Sequence, residues 1–169
     1  MSLSCWLMPV GVENMSKKIS CAIFCLIALF STAVCAQESL AGAIMVFAKG
    51  KCTTLSVSGE KYTCKAVVYS HFKNGRTAWQ VAIPDGAIML AGGRDSQLDP
   101  TRYVLQIDTL RAGRGDGSSQ PYKAQGTCTA KLSADGVYLH SLSCSATNGI
   151  EDVQIEFFGD GTPVDRKTL

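Results

Sequence analysis

The chain has 169 residues, of which 46% are hydrophobic and 18% are charged, and its 16 basic residues nearly balance its 14 acidic ones. This composition is typical of one globular domain, and it argues against collagen-like, coiled-coil, disordered and polytopic membrane proteins. The net charge of +2 also argues against a nucleic-acid partner, because it provides no strong field to attract phosphate.

The N-terminal segment has the layout of a secretory signal peptide. A basic start at residues 17–18 is followed by an apolar run over residues 19–30, and small residues then lead to Ala36. This order predicts a signal peptide over residues 15–36 that is cleaved before Gln37.

Two other interpretations of this segment stay open. A transmembrane anchor would need a longer apolar run to cross about 30 Å of hydrocarbon. Lipid attachment at Cys35 would hold the protein on a membrane. Residues 1–14 precede the basic start and are interpreted as an extension from a start codon assigned too early. The folded part is therefore expected to be a single β domain over residues 37–169, which is not an integral membrane protein once processed and is periplasmic or secreted.

Four of the eight cysteines lie in the expected domain, namely Cys52, Cys64, Cys128 and Cys144. An even number of cysteines in an exported chain of this size predicts two disulfide bonds. Of the three possible pairings we favour Cys52–Cys64 and Cys128–Cys144, because each pair brackets a turn signal. Each bond is expected to stabilise the fold by about 2–4 kcal/mol. A zinc site with four thiolate ligands is the alternative, although the closely spaced cysteine pairs usual in such sites are absent.

Apolar and polar residues alternate through most of the domain, and no long run shows a helical stripe. The following sets of apolar residues are each predicted to share one face of a strand: Tyr62, Cys64, Ala66, Val68 and Phe72; Thr77, Trp79, Val81 and Ile83; Tyr103, Leu105 and Ile107; Tyr138, Leu142, Cys144 and Ala146; Val153, Ile155 and Phe157. Turn pairs separate these runs at Asn74-Gly75, Asp85-Gly86, Asp135-Gly136 and Asn148-Gly149. The regular spacing predicts a mainly β fold, an antiparallel sandwich or barrel of about 8–10 strands.

The two halves of the domain are similar in sequence. Residues 74–83 and 148–157 align without gaps, and each segment follows a cysteine pair. The glycine- and serine-rich segment 112–121 separates the halves, which cover about 43–111 and 122–161. This pattern predicts two tandem repeats of a disulfide-linked meander, and the alternative is that two unrelated hairpins use the same turn residues.

Few residues of the domain are suited to catalysis. His140 is predicted to be a hydrogen-bonded core residue beside Leu142, and His71 to lie on a solvated face. Four carboxylates could in principle meet as an acid–base pair, namely Asp85, Asp95, Asp99 and Asp108. No motif for a zinc protease, a serine nucleophile or a phosphate-binding loop is present. The sequence therefore predicts a protein that is not an enzyme and that holds no metal or other cofactor.

The best candidate for a binding site is the polar segment that follows the apolar run 87–91. Arg94, Asp95 and Ser96 begin this segment and Arg102 ends it. The guanidinium of Arg94 could offer a forked donor to a carboxylate or a sugar. The alternative is an ordinary polar connection between two strands.

The order of several motifs resembles that of small exported two-disulfide bacterial proteins of unknown function. The matching motifs are Cys52-x-x-Leu55, Gly59, Cys64, Tyr69, Asn74-Gly75-Arg76, Gly126-Thr127-Cys128 and Cys144-Ser145-Ala146. This resemblance implies export and two disulfide bonds. A second resemblance is to the periplasmic inhibitors of C-type lysozyme, which are small β-barrels, because Ser58-Gly59-Glu60-Lys61-Tyr62 fits their Ser-Gly-x-x-Tyr motif. It implies inhibition of a hydrolase.

These features together predict an exported protein of the cell envelope that acts as a non-enzymatic binding module. Its partner is expected to be a protein or a glycan of the envelope. A periplasmic hydrolase inhibitor of the lysozyme type is the second hypothesis, and a small hydrolytic enzyme is the third.

Overall fold

The computed structural model describes residues 41–84, 86–114 and 119–169. The predicted signal peptide, Cys35 and the predicted turn residue Asp85 lie outside these ranges. The regular secondary structure of these residues consists of β-strands. The strands are β1 Ile44–Val57, β2 Glu60–Lys61, β3 Ala66–His71, β4 Thr77–Ile83, β5 Gly86–Gly92, β6 Arg94–Asp99, β7 Arg102–Arg114, β8 Ser119–Leu132, β9 Leu139–Thr147, β10 Asp152–Gly159 and β11 Asp165–Thr168.

Eight of the strands form a closed antiparallel barrel. Their order around the barrel is β1, β3, β4, β5, β7, β8, β9 and β10, and the pairing of β10 with β1 closes it. The remaining strands extend this framework: β2 pairs with the end of β1, β11 pairs with its beginning, and β6 continues β5 along β7. The predicted all-β antiparallel fold is confirmed, and of the two predicted architectures it is the barrel. Closure gives each of the eight strands a neighbour on both sides.

The barrel interior holds the main core, and three of the predicted strand faces supply it. Val81 on β4, Leu105 on β7 and Phe157 on β10 have no exposed surface. Their neighbours at alternate positions are also buried or half-buried, as a period of two residues requires. These three faces are therefore confirmed.

The predicted face of β3 is wrong for Ala66 and Val68, whereas Cys64 of the same set is buried in the main core. β3 begins only at Ala66, because residues 62–65 leave the strand geometry after β2. Val67 and Tyr69 then face the interior, opposite Ala48 and Val46 of β1. The irregular segment shifts the alternation by one residue, so Tyr69, which an uninterrupted alternation from Tyr62 places on the opposite face, points inward.

The predicted core position of His140 is also wrong, because this side chain is exposed. Lys131 pairs with Ser141 whereas Leu132 pairs with Leu139, so His140 is the extra residue of a β-bulge. The bulge moves the interior position of β9 from His140 to Leu139, which is 5% exposed.

Both predicted disulfide bonds are confirmed, with Cys52 bonded to Cys64 and Cys128 to Cys144. Cys128 and Cys144 lie directly opposite each other on β8 and β9, and both are buried in the core. Cys52 on β1 reaches Cys64 in the segment between β2 and β3, where the Cys52 backbone N–H donates to the Cys64 carbonyl over 3.3 Å. Because all four thiols are engaged, the alternative of a four-cysteine zinc site is wrong.

The predicted loop over residues 112–121 is largely strand. β7 continues to Arg114 and β8 begins at Ser119, so the connection between the two halves is a long hairpin whose residues 115–118 lie outside the described ranges. The two Asn-Gly pairs lie at the β3–β4 and β9–β10 turns, and Gly75 and Gly149 adopt the positive φ angles of 79° and 86° that such turns use. The tandem duplication stays a prediction.

Candidate functional site

An apolar cavity of about 150 Å³ lies at one end of the barrel. This is the end where β1, β4, β7 and β9 begin and where β3 and β8 finish. The lining residues are Val46, Ala48, Tyr69, Trp79, Tyr103, Leu132, Gly136, Leu139 and Val164. A cavity of this size and polarity can hold a molecule the size of benzene.

Strand register brings the aromatic residues of the cavity together. Val46, Tyr69 and Trp79 are direct partners on the neighbouring strands β1, β3 and β4. The ring centroids of Tyr69 and Trp79 are 5.1 Å apart at an interplanar angle of 56°, and those of Tyr69 and Tyr103 are 5.5 Å apart at 86°. Tilted and edge-to-face arrangements at these distances are favourable for aromatic pairs. The three rings therefore form one wall of fixed shape.

The indole nitrogen of Trp79 is a buried hydrogen-bond donor without a partner. Trp79 is 5% exposed. In the part of the chain that the structure describes, its Nε1 is the only buried side-chain nitrogen or oxygen atom without a hydrogen-bond partner. A buried donor left unsatisfied costs about 1–3 kcal/mol. Such atoms are rare in folded proteins, and this one has almost no accessible surface, so it is packed within the core and does not face the cavity.

The hydroxyl of Tyr103 connects the aromatic wall to the rim of the cavity. It lies 2.7 Å from Oδ2 of Asp95, 3.2 Å from the Thr77 hydroxyl and 3.4 Å from the Tyr69 hydroxyl. Because the phenol has one proton and a carboxylate can only accept, Tyr103 donates to Asp95.

Both tyrosines of the wall stay neutral at physiological pH. Burial raises the pKa of Tyr103 well above its ordinary value against a smaller lowering by Thr77, and the hydroxyl of Tyr69 and the carboxylate of Asp95 raise it further. Burial likewise raises the pKa of the Tyr69 hydroxyl. The wall therefore presents no phenolate that could act as a base or a nucleophile.

The four predicted binding residues lie in the β6–β7 hairpin. Arg94, Asp95 and Ser96 belong to β6 and Arg102 begins β7, so most of this polar segment is strand. Asp95 is paired with Leu105 and faces the Tyr103 hydroxyl, whereas Arg94 and Ser96, at alternate positions, lie on the other face. Nε of Arg102 is 3.5 Å from Asp99. The structure thus brings Asp95 alone of the four into contact with the cavity wall, and a binding role for this set stays a prediction.

Three of the four carboxylates considered for an acid–base pair lie in the described ranges, and each of them has a different hydrogen-bond partner. Asp95 accepts from Tyr103, and Asp99 accepts from the hydroxyl and backbone N–H of Thr101. Asp108 accepts two hydrogen bonds from the guanidinium of Arg76, at 2.6 and 3.2 Å, and one from the backbone N–H of Gly93.

The Arg76 guanidinium holds the pKa of Asp108 below its ordinary value. Asp108 interrupts the register of β7 between Ile107 and Thr109. Asp108 on β7 therefore holds the β3–β4 turn through Arg76 and the β5–β6 connection through the Gly93 N–H.

In residues 41–84, 86–114 and 119–169, no group of three or more histidine, cysteine, aspartate or glutamate side chains is placed to hold a metal ion. In the same ranges, no helix has the length and apolar character needed to cross a membrane.

The Ser-Gly-x-x-Tyr motif lies at the opposite end of β1 from the cavity. Ser58 and Gly59 form the β1–β2 turn with φ angles of 50° and 85°, and both are exposed or half-exposed. The hydroxyl of Tyr62 donates to Oε2 of Glu60 over 2.7 Å. The turn of the motif is therefore exposed and separate from the aromatic cavity, while Tyr62 packs against the core.

Sequence reasoning did not find the cavity, although one signal for it was present. Tyr69 and Trp79 are equally distant from Asn74, so a hairpin that turns at Asn74 must place them opposite each other. Two large aromatic residues side by side near a barrel end are a candidate pocket wall.

Comparison with protein families, with curated proteins and with solved structures finds no match to this chain. The fold and the site define its class as a disulfide-linked, eight-stranded antiparallel β-barrel with an aromatic cavity at one end. Its function is therefore argued from that cavity.

Proposed function

We propose that the protein is an exported, non-enzymatic binding module that takes an apolar group the size of one ring into the cavity at the end of its barrel. The observation that carries this proposal is the cavity of about 150 Å³ walled by Tyr69, Trp79 and Tyr103. Protein interiors are otherwise packed as densely as organic crystals, so an apolar cavity with a rigid aromatic wall is suited to holding a ligand.

Export is supported by the two disulfide bonds together with the signal-peptide pattern over residues 15–36. Structural disulfides persist in the periplasm and outside the cell, where thiols are not kept reduced.

The proposed partner is an envelope molecule that inserts one apolar group while polar contacts form at the rim. The cavity wall is almost wholly apolar, which suits a side chain of a protein better than the hydroxyl-rich surface of a glycan. At its rim the exposed carboxylate of Asp95, which accepts from Tyr103, is placed to accept a further hydrogen bond from the partner.

Benzene is the simplest probe of the cavity. We expect it to bind with a dissociation constant on the order of 1 mM, and to raise the melting temperature of the protein as its concentration increases. Replacing Ala48, a buried lining residue, with leucine should fill the cavity and abolish this stabilisation.

The matched control is Ala82→Leu, which adds the same atoms to an exposed position on strand β4. This variant should bind benzene as the unaltered protein does. Stabilisation by benzene that survives Ala48→Leu would mean that benzene binds elsewhere, and absence of any stabilisation would contradict the proposed function.

A hydrolase inhibitor is the second candidate, because Ser58 and Gly59 of the Ser-Gly-x-x-Tyr turn are exposed and the Cys52–Cys64 bond links the strand before this turn to the segment after it. Inhibitory loops of this kind act as rigid, exposed projections. If this candidate is correct, the purified protein should slow cell-wall lysis by a C-type lysozyme at equimolar concentration. Substitution of Ser58 should then relieve the inhibition while leaving benzene binding unchanged.

A further inference from the structure

We propose that the barrel carries a second site, a groove on its outer surface that binds a doubly charged oxyanion such as a phosphate monoester group. The cationic side chains of the groove are Arg102, Lys131 and His140, which lie on the neighbouring strands β7, β8 and β9. This proposal does not depend on the aromatic cavity, because the groove has its own polar lining.

Strand register brings these side chains together. Arg102 and Lys131 are direct cross-strand partners. Their strand neighbours Tyr103 and Ala130 pack into the core, so Arg102 and Lys131 point outward. The bulge in β9 turns His140 away from the interior and into the same groove. An open groove of about 700 Å³ is therefore lined by basic groups from neighbouring strands.

The acidic residue of the groove does not balance these charges. Asp99 is the one carboxylate in the described lining, and it accepts two hydrogen bonds from Thr101 while Nε of Arg102 lies 3.5 Å away. Lys131 has no hydrogen bond or ion pair with any described residue. Like charges directly opposite each other destabilise a sheet. A bound anion would accept from Arg102 and Lys131 together and remove their repulsion.

The pair of cations selects the ligand class. Arg102 offers a planar fork of donors and Lys131 a compact point charge, and both kinds of donor bind phosphate in proteins. A phosphate monoester carries nearly two negative charges at neutral pH, which is enough to neutralise both cations. A carboxylate carries one charge and would leave one cation unbalanced.

Inorganic phosphate is the first probe, used at low ionic strength because salt screens exposed charges. We expect it to shift the NMR resonances of Thr101, Lys131 and His140 with a dissociation constant on the order of 10 mM. Lys131→Gln should weaken this binding by about fivefold to tenfold. Lys123→Gln removes the same charge from another exposed position of β8 and should leave the dissociation constant unchanged.

Sulfate is the second probe, because it keeps two negative charges at every pH near neutrality. His140 gains a proton as the pH falls, whereas Arg102 and Lys131 stay charged. Hydrogen bonds from neighbouring hydroxyl groups hold the pKa of Asp99 in the groove and of Asp135 on the β8–β9 turn below their ordinary values, so both stay ionised.

Sulfate should therefore bind about threefold to tenfold more tightly at about pH 5.5 than at about pH 7.5. His140→Gln should abolish this difference. A difference that persists in His140→Gln would show that the histidine is not part of the site and would contradict the proposed groove.

Vesicles of phosphatidylcholine with and without phosphatidic acid distinguish a lipid headgroup from a soluble ester. Binding that requires phosphatidic acid and is lost in Lys131→Gln would identify a lipid headgroup as the source of the phosphate. Binding of inorganic phosphate without binding to vesicles would identify a soluble ester, and both results support the site. Equal effects of Lys131→Gln and Lys123→Gln, or no shift at the groove in excess phosphate, would overturn the proposal.

Discussion

Replacing Phe157 with alanine is expected to lower the free energy of unfolding by about 3–5 kcal/mol, the range for a fully buried phenylalanine. Phe157 has no exposed surface and lies on β10 between Leu142 of β9 and Cys52 of β1, at the seam where the barrel closes. A Cβ atom on Gly50 would collide with its ring, so the glycine leaves the space that the ring occupies. Urea denaturation at equilibrium measures the loss.

Phe158 provides the control for this prediction. It is the next residue of the same strand, its side chain points outward, and it is 48% exposed. Phe158→Ala should change the free energy of unfolding by no more than about 0.5 kcal/mol. Equal effects of the two substitutions would contradict the assignment of the inward face of β10 and with it the register of the closing seam.

Removal of the Cys128–Cys144 bond by the paired substitutions Cys128→Ala and Cys144→Ala is expected to cost about 3 kcal/mol from the chain entropy of the opened loop. A further loss should arise because both sulfur atoms lie in the core, where Cys128 is 0% and Cys144 is 3% exposed. Thermal and urea unfolding of the paired variant measure the total effect.

The Cys52–Cys64 pair separates the two contributions. Its sequence separation is 12 residues against 16 for the other pair, so chain entropy alone predicts nearly equal effects. Cys52 is only half-buried, so Cys52→Ala with Cys64→Ala should destabilise the fold by less than the core pair does. A larger loss from this pair would show that packing around Cys128 and Cys144 contributes little.

Sequence periodicity predicts a strand face correctly where the strand is regular. On β4, β7 and β10 the alternation of residues such as Val81, Leu105 and Ile155 runs through the buried part of the strand, and each of these faces is inward. Pattern alone fails at Tyr69 and His140, because an irregular segment before β3 and a bulge in β9 each shift the alternation by one residue. Such shifts depend on pairing with distant strands, which local sequence does not specify.

The disulfide pairing was predictable because each bond closes a hairpin that local turn residues specify. The cavity was not predictable, because its wall combines residues that are far apart in sequence. Val46, Trp79, Leu132 and Val164 meet only when the barrel closes and β11 pairs with the beginning of β1. The binding residues predicted from the polar segment after β5 include one, Asp95, that contacts this wall through Tyr103.

A crystal of the protein pressurised with xenon tests the central claim most directly, because xenon enters apolar cavities of this size. The account predicts one xenon atom at the end of the barrel, in contact with Ala48, Trp79 and Leu139. It also predicts that this atom is absent from crystals of Ala48→Leu. A cavity that stays empty under pressure, or one filled by the surrounding side chains, would contradict the claim that the barrel end is a ligand site.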